Sequence, residues 1–525
     1  MPGPKSLPIR SVGEWSFRSD QDYLSPFADV EVTSVFTAPD GTVLTMPTFY
    51  DGKGTWKLRF NPKQTGRWTA ALTSRPHNPD LDQTFSFDAT ASDARGTLRA
   101  VPGTAWGYEY ENGEPFLAIG DTVYDLFGME YCGGDISGFV RRRQHQGFNL
   151  FRVRLTSSQF HPPRGDFNWQ TRPMWPWGGS PTAPRFDLFN LDWFQAIDAS
   201  VAAIEKTGIG LEMIMEAWGF EFPFNSRSIF TPEWEQLWMR YLIARYDAFN
   251  CTYFWTPLNE YEYYPNGDWN WKGAADRWQI RIGRWIKSAA PHGHIIACHN
   301  GPILPPFAER FRADPEAVET VMFQTWGTRE KENAWLAAGI ESAINAAFAG
   351  WNGARIFAEW GYERNPDFEN KLPHHEFCDR NHTRRAAWRG VTRAMGIING
   401  QENSWGPWML LEEDQPGTAD IVVIKDFLLH RVPFDGLAAA PDLVHGTFEE
   451  GYRPLALRGT KNDVAVVYFP AGGSAEISFA AKDAEWFDPR TASVQPAKVK
   501  GQSYAAPAGV DSDGHPLDYV LVLRA

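Results

Sequence analysis

The feature that most constrains this chain is a strand–helix alternation that starts near residue 103 and runs to about residue 430. Short apolar, β-prone runs alternate with longer stretches of helical spacing. Phe116-Leu117-Ala118-Ile119-Gly120-Asp121 reads as strand one, followed by a helix over 136–146. Phe148-Asn149-Leu150-Phe151-Arg152-Val153-Arg154-Leu155 reads as strand two, and 191–206 as an amphipathic helix closed by Gly208, a C-cap signal. Strand three is 209–215, and Thr231-Pro232 opens the next helix with an N-cap and Pro at its first position. Strand four begins at Thr252 and ends in Asn259-Glu260. Residues 276–290 are helical, 294–298 strand five, 321–324 strand six and 332–348 helical. Strand seven is 355–360, the last helix 382–398 and strand eight 404–411. Eight such units over roughly 320 residues predict a (β/α)8 barrel.

At 525 residues the chain is too long for one core. Residues 1–95 alternate with period two in short runs such as Trp56-Lys57-Leu58-Arg59-Phe60, separated by turn signals such as Pro39-Asp40-Gly41. Residues 433–525 do the same, for example at Asp463-Val464-Ala465-Val466-Val467-Tyr468-Phe469. The expectation is a multidomain chain: a β-sandwich over 1–95, a TIM barrel over 100–430 and a second all-β sandwich over 433–525.

Hydrophobic residues make up 43% and charged residues 22%, the balance of a soluble globular protein. The 24 Trp are the outlier; either a surface on which sugar rings stack or large aromatic cores would use them. A net charge of −14 disfavours nucleic acid as a partner. Cys132, Cys251, Cys298 and Cys378 form no CxxC and no metal-ligand spacing, so neither structural zinc nor a disulfide framework is expected. No cofactor is expected. No run of about 18 apolar residues suggests a membrane span. Met1-Pro2-Gly3-Pro4-Lys5 lacks the apolar core of a signal peptide. A cytoplasmic protein is expected if that N-terminus is native, and a periplasmic or secreted one if a signal was removed. A homo-oligomer is compatible with all of this.

Strand four changes character at its end. A strand buried on both faces has no use for a charge until it emerges, so Glu260 is expected at its C-terminal end. Arg355-Ile356-Phe357-Ala358-Glu359-Trp360 repeats the pattern. Each Glu alone reads equally well as a loop residue or half of an ion pair. Together, at the ends of two parallel strands, they are what acid/base chemistry on a glycosidic bond requires. Asp121 ends strand one and Glu216 ends strand three; both are expected to face the pocket as sugar-hydroxyl ligands, with salt-bridge partners the other reading. Trp218, Trp326, Trp360 and Trp405 lie at or after strand ends and either wall sugar subsites or belong to the core. Glu262, Glu363 and the pair Glu412-Glu413 are weaker candidates. The Trp- and Pro-rich insertion over 160–186 is expected to shape the substrate site.

The ordered set Phe148-Asn149-x-x-Arg152, Asn259-Glu260 and Glu359 resembles the large clan of retaining glycoside hydrolases with Asn-Glu ending strand four and Glu ending strand seven. The stretch 115–127, Pro-Phe-Leu-Ala-Ile-Gly-Asp-Thr-Val-Tyr-Asp-Leu-Phe, resembles the opening of its apiosidase-like branch. The early stretch with Phe49-Tyr50-Asp51-Gly52, Trp56 and Gly66-Arg67-Trp68 resembles the immunoglobulin-like domain that precedes the barrel in several such enzymes, as sugar-binding module or as buttress. Glu485-Trp486-Phe487-Asp488-Pro489-Arg490-Thr491 resembles a pattern of their C-terminal sandwiches. The resemblance implies Glu260 as general acid/base, Glu359 as nucleophile, Asn259 as partner of the sugar 2-OH and Arg152 as the cation beneath the nucleophile. It implies carboxyls about 5–5.5 Å apart and retention of configuration. It also implies an oligo- or polysaccharide substrate, with apiose- or arabinose-type furanosides as one class and pyranosides as the other. One departure stands out. Where many members carry His-x-Tyr at the end of strand six, this chain has Gln324-Thr325-Trp326; His299-Asn300, ending strand five, are candidates to replace that contact.

Two rival functions are weaker. A metal-dependent barrel hydrolase needs a His/Asp cluster on strand ends, and only His299 is placed for one. A carbohydrate-binding pseudoenzyme would be expected to lack one of the two Glu, and both are present.

Overall fold

The computed structural model describes residues 3–157, 168–301, 304–325, 341–363, 379–401, 404, 414–460, 463–499, 501–512 and 514–525. Eight parallel strands close into a barrel: Ile119–Thr122, Leu150–Arg154, Gly210–Trp218, Thr252–Asn259, Ile295–His299, Thr320–Gln324, Ala354–Glu359 and Gly396–Asn399. The first strand pairs with both the second and the eighth, which completes the ring. Helices such as Ser137–Gln146, Leu191–Ile204, Pro232–Tyr246, Lys272–Ala289 and Arg380–Val391 surround it.

Strands three and four are buried at every position because one face meets the helices and the other fills the barrel. At the N-terminal end the filling is apolar: Leu150, Phe254, Ile295, Met322, Ile356 and Ile398 form one cluster. The hairpin of Leu98–Ala100 and Tyr108–Tyr110 adds Leu98, Tyr108 and Tyr110 to it. Tyr108 Oη donates to Thr320 Oγ1 at 3.2 Å, which ties this hairpin to strand six. Further along the same strands the buried residues become Arg152, Glu212, Thr256, His299 and Gln324. Buried polar groups of this kind need one another as partners, and the polar layer marks the end of the barrel where chemistry is placed.

The chain before the barrel forms two sheets. One orders Ser6–Pro8, Thr84–Thr90, Gly66–Arg75, Glu31–Thr37 and Val43–Pro47; the other orders Gly13–Arg18, Thr55–Phe60 and Phe49–Tyr50. Trp15, Phe36, Phe60, Trp68 and Phe87 fill the space between, with Phe36 stacked on Phe60 at 3.8 Å. After the barrel come a six-stranded sheet, Leu437–Ala439, Leu455–Gly459, Val464–Phe469, Tyr519–Arg524, Asp483–Phe487 and Val494–Pro496, and a three-stranded one. Among the described residues no helix is long and apolar enough to cross a membrane.

Two expectations are corrected. Strand eight is Gly396–Asn399, not 404–411. The stretch 382–398 was expected to be one helix, but the helix ends at Val391 and Ala394 adopts a left-handed φ of +55°, which turns the chain into the strand without a glycine to announce it. Of the expected stretch only Ser404 is among the described residues. The described part of the Trp-rich insertion runs irregularly from 168 into a hairpin, Trp177–Ser180 with Ala183–Phe189. Its Trp177 packs at 4.6 Å from Trp238 and 5.6 Å from Phe230, so those aromatics serve the core between barrel and helices.

Candidate active site

Arg152 organises the polar layer. It is fully buried, and a buried guanidinium demands acceptors on all sides. Its Nη1 donates to Glu359 Oε2 at 2.8 Å, its Nε lies 3.3 Å from Glu212 Oε2, and its Nη2 donates to Asn259 Oδ1. One cation thereby ties Glu212 within strand three and the ends of strands four and seven to strand two. Glu359 Oε2 also accepts from Tyr124 Oη at 3.3 Å, and His299 Nε2 stands 3.8 Å away. Burial and the charge of Arg152 push the His299 imidazole well below its ordinary pKa, so the ring beside Glu359 is neutral. Asn259, with its oxygen committed to Arg152, has no partner for Nδ2 among the described residues.

Glu260 follows the last residue of strand four in a left-handed conformation, φ +53° and ψ +58°. Such a backbone is costly for a residue with a side chain and concentrates at functional sites. Its Oε1 accepts from Gln324 Nε2 at 2.7 Å. Gln324 is itself fixed: Nε2 also donates to Asn300 O at 2.9 Å, and its backbone N–H donates to Asn300 Oδ1 at 3.2 Å. Burial first, then the charge of Glu359, push the Glu260 carboxyl up to about 8. The two carboxylates thus feel each other, yet only Glu359 holds a direct ion pair with Arg152.

The structure brings together Arg152, Asn259, Glu260, His299, Asn300 and Glu359. It also adds Tyr124, Glu212 and Gln324, none of which was selected as a site residue from the sequence. Glu212 was legible as one of two charges, with Glu216, inside the otherwise apolar strand Gly210–Trp218, and its Oε1 accepts from Thr256 Oγ1 at 2.8 Å.

Three expectations fail. Asp121 shares the outward parity of Ile119; its Oδ2 lies 2.6 Å from Arg143 Nε of the helix Ser137–Gln146, so it is an ion-pair partner and not a sugar ligand. Glu216 is fully buried and clasped by Arg227, which also holds Glu235 at 2.6 Å. A change of register between Glu216 and Trp218 accompanies this. Trp360 is 1% exposed and packs on Phe357 at 5.1 Å, in the core. Trp218 does reach the site, edge-on to Tyr124 at 5.4 Å and beneath the Arg154 guanidinium at 4.5 Å. Trp326, Trp405 and Glu412-Glu413 lie outside the described residues. Glu262 is tied to Arg310 at 2.9 Å and to Gly301 N at 2.8 Å, and Glu363 accepts from Gly417 N at 2.8 Å; both pin loops. Among the described residues no three His, Cys, Asp or Glu converge to hold a metal ion.

Residues 108–422 match the family model described as "Apiosidase-like, catalytic domain", and residues 11–75 match a "Domain of unknown function (DUF5060)". A Bacteroides vulgatus protein described as a candidate glycoside hydrolase superposes with a TM-score of 0.71 at 14% identity, covering 99% of this chain and 100% of that one. A glycoside hydrolase family 5 structure, also from Bacteroides vulgatus, gives 0.59 at 17% identity over 82% of this chain and 93% of that one. At these identities the likeness is one of fold. No curated protein matches.

Proposed function

The chain belongs to the apiosidase-like family and is a glycoside hydrolase; on that premise we propose that it cleaves a glycosidic bond by double displacement with retention of configuration. The observation that carries this reading is the unequal treatment of two buried carboxylates. Glu359 is paired with Arg152 and hydrogen-bonded by Tyr124, as a nucleophile must be to act as an anion. Among the described residues Glu260 has no such cation paired with it, and its proton is retained to about pH 8, as a general acid requires.

In the first step Glu260 gives its proton to the leaving oxygen while a Glu359 oxygen attacks the anomeric carbon. In the second, Glu260 takes a proton from water, which displaces Glu359 from the same carbon. Asn259 Nδ2 is the donor left over for the sugar 2-OH, since Arg152 holds its oxygen in place. The glycon we assign is a furanoside of apiose or arabinose type, within an oligo- or polysaccharide; the family supports this choice. A panel of aryl furanosides and pyranosides identifies the glycon. NMR of the first-formed product is expected to show the starting anomeric configuration, and a mechanism-based fluoro-sugar to label the Glu359 peptide. Glu359→Gln is expected to lose several orders of magnitude in kcat while the fold persists. An inverted first product would overturn the mechanism and make Glu359 a base acting through water.

A further inference from the structure

The rings that begin at Trp218 do not stop in the core. Phe220 stacks on Trp218 with centroids 5.3 Å apart and planes 14° from parallel, yet is 40% exposed. Tyr263 meets Phe220 edge-on at 5.1 Å, and Trp269 meets Tyr263 at 4.6 Å. Trp271, in the same turn as Trp269, is 48% exposed. This row spans the loops after barrel strands three and four, on the face that carries Glu260 and Glu359. Phe220 and Trp271 are exposed and Tyr263 and Trp269 half-buried, and a cluster of accessible aromatic rings marks a place where something binds.

The row is also rigid. The two loops touch through glycines: a Cβ at Gly219 would fall 2.5 Å from Tyr263 Cβ, and one at Gly267 would fall 3.0 Å from Phe220 Cα. Gly267 has a φ of +80°, so the contact suits glycine twice over. Asn225 Nδ2 donates to Phe220 O at 2.7 Å and holds the first loop's tip. The Trp269 ring lies directly on Gly301, beyond the end of strand five. Such a surface is formed before any ligand arrives and loses little on binding.

We propose that Phe220, Tyr263 and Trp269 form a subsite for an uncharged sugar ring on the leaving-group side of the scissile bond. This rests on the assignment of Glu260 as the acid. An acid that protonates the leaving oxygen stands beside the leaving group, and the turn Tyr261–Tyr263 follows Glu260 directly. The ring row is therefore on the leaving side, and not against the sugar that Glu359 attacks. Residues 219–226 and 261–271 contain Glu221, Glu262 and Asp268 but no Lys or Arg. Glu262 is tied to Arg310 and Glu221 lies 3.7 Å from Arg154, and Lys272 stands only after the last ring; the row itself offers an anionic sugar no cation, whereas the C–H face of a neutral ring finds aromatic faces.

The test compares two substrates of whichever glycon the wild-type enzyme accepts: its glycosyl fluoride, whose leaving group has no ring, and the matching neutral disaccharide. In Phe220→Ala and in Trp269→Ala, kcat/KM is expected to fall at least tenfold further on the disaccharide than on the fluoride. Phe220→Tyr is expected to restore most of the ratio. A parallel fall on both substrates would overturn the proposal and make the row a structural prop. No fall on either would mean that the row binds no sugar. Failure of the underlying reading looks different: Glu260→Gln would then lose as much activity on the fluoride, whose departure needs little help from an acid, as on the disaccharide.

Discussion

A general acid must still hold its proton at the working pH, and here one hydrogen bond opposes the forces that keep it on. Burial and Glu359 raise the Glu260 carboxyl to about 8, while the Gln324 amide, by donating to Oε1, lowers it. The protonated form is the active one in the first step, so kcat/KM is expected to fall as the pH rises through about 8. Gln324→Ala removes a donor to the anion, so this basic limb should move to higher pH; a limb that stays in place would mean the amide does not touch the acid in solution. Glu260→Gln should cost about 10²–10⁴-fold on poor leaving groups and far less on activated ones. At this scale the sequence was legible where a charge interrupts an apolar strand, as at Glu260, Glu359 and Arg152. It was not legible where function depends on side-chain direction. Asp121 and Glu216 occupy equally suggestive positions, yet each is neutralised by an arginine, Arg143 or Arg227, that lies outside the barrel strands.

Elements are placed by contacts that no periodicity reveals. The helix Pro232–Tyr246 was legible from Thr231-Pro232, although Thr231 makes no side-chain cap bond. What fixes its other end is Asp247, which accepts from Trp255 Nε1 of strand four at 3.1 Å and lies 2.7 Å from His292 Nδ1, just before strand five. His292 Nε2 accepts from Asn61 N–H at 3.0 Å, so the ring proton sits on Nδ1 and goes to Asp247. Burial by itself would raise Asp247; the hydrogen bonds from His292 and Trp255 outweigh it and bring the carboxyl down to about 2, from 3.8. The folded state thus binds this proton more weakly than the unfolded chain. The stabilisation is fully present above about pH 4 and is lost as the pH falls through about 2, and at neutral pH it is worth about 2 kcal/mol. Asp247→Asn should therefore unfold earlier in urea at pH 7, with the gap to the wild type narrowing below about pH 4. A gap independent of pH would show that packing, and not the charge, was lost. Strand eight is the converse case: four residues, Gly396–Asn399, follow a helix that ends at Val391 and a left-handed alanine, Ala394, and local pattern favours extending the helix.

The whole molecule is held together by ion pairs between units that sequence pattern could only place side by side. Arg59, on the small N-terminal sheet, reaches across to Asp198 of the helix Leu191–Ile204 with Nη2 at 2.7 Å and donates from Nη1 to Arg245 O at 2.8 Å. Arg245, at the end of the following helix, is fully buried and turns Nη2 to Asp51 at 3.1 Å and Nε to Asp198 Oδ1 at 3.2 Å. One carboxylate, Asp198, therefore serves two largely buried guanidinium groups from different units. Burial by itself would raise its pKa; Arg245 and then Arg59 outweigh that and hold it below the ordinary carboxylate value. Removing it leaves two buried cations short of an anion, a loss on the order of 3–5 kcal/mol. Asp198→Ala should lower the melting temperature and expose the connection around 91–97 to protease, releasing the N-terminal unit. The side chain belongs to the outer helix layer, whereas Glu260 and Glu359 stand at strand ends, so kcat/KM at 25 °C should match the wild type. Asp198→Asn keeps the shape without the charge and should show most of the same loss. If melting and proteolysis were unchanged in both variants, the aromatic contacts of Phe27 with Tyr50, Phe189 and Tyr241 would have to carry the interface instead.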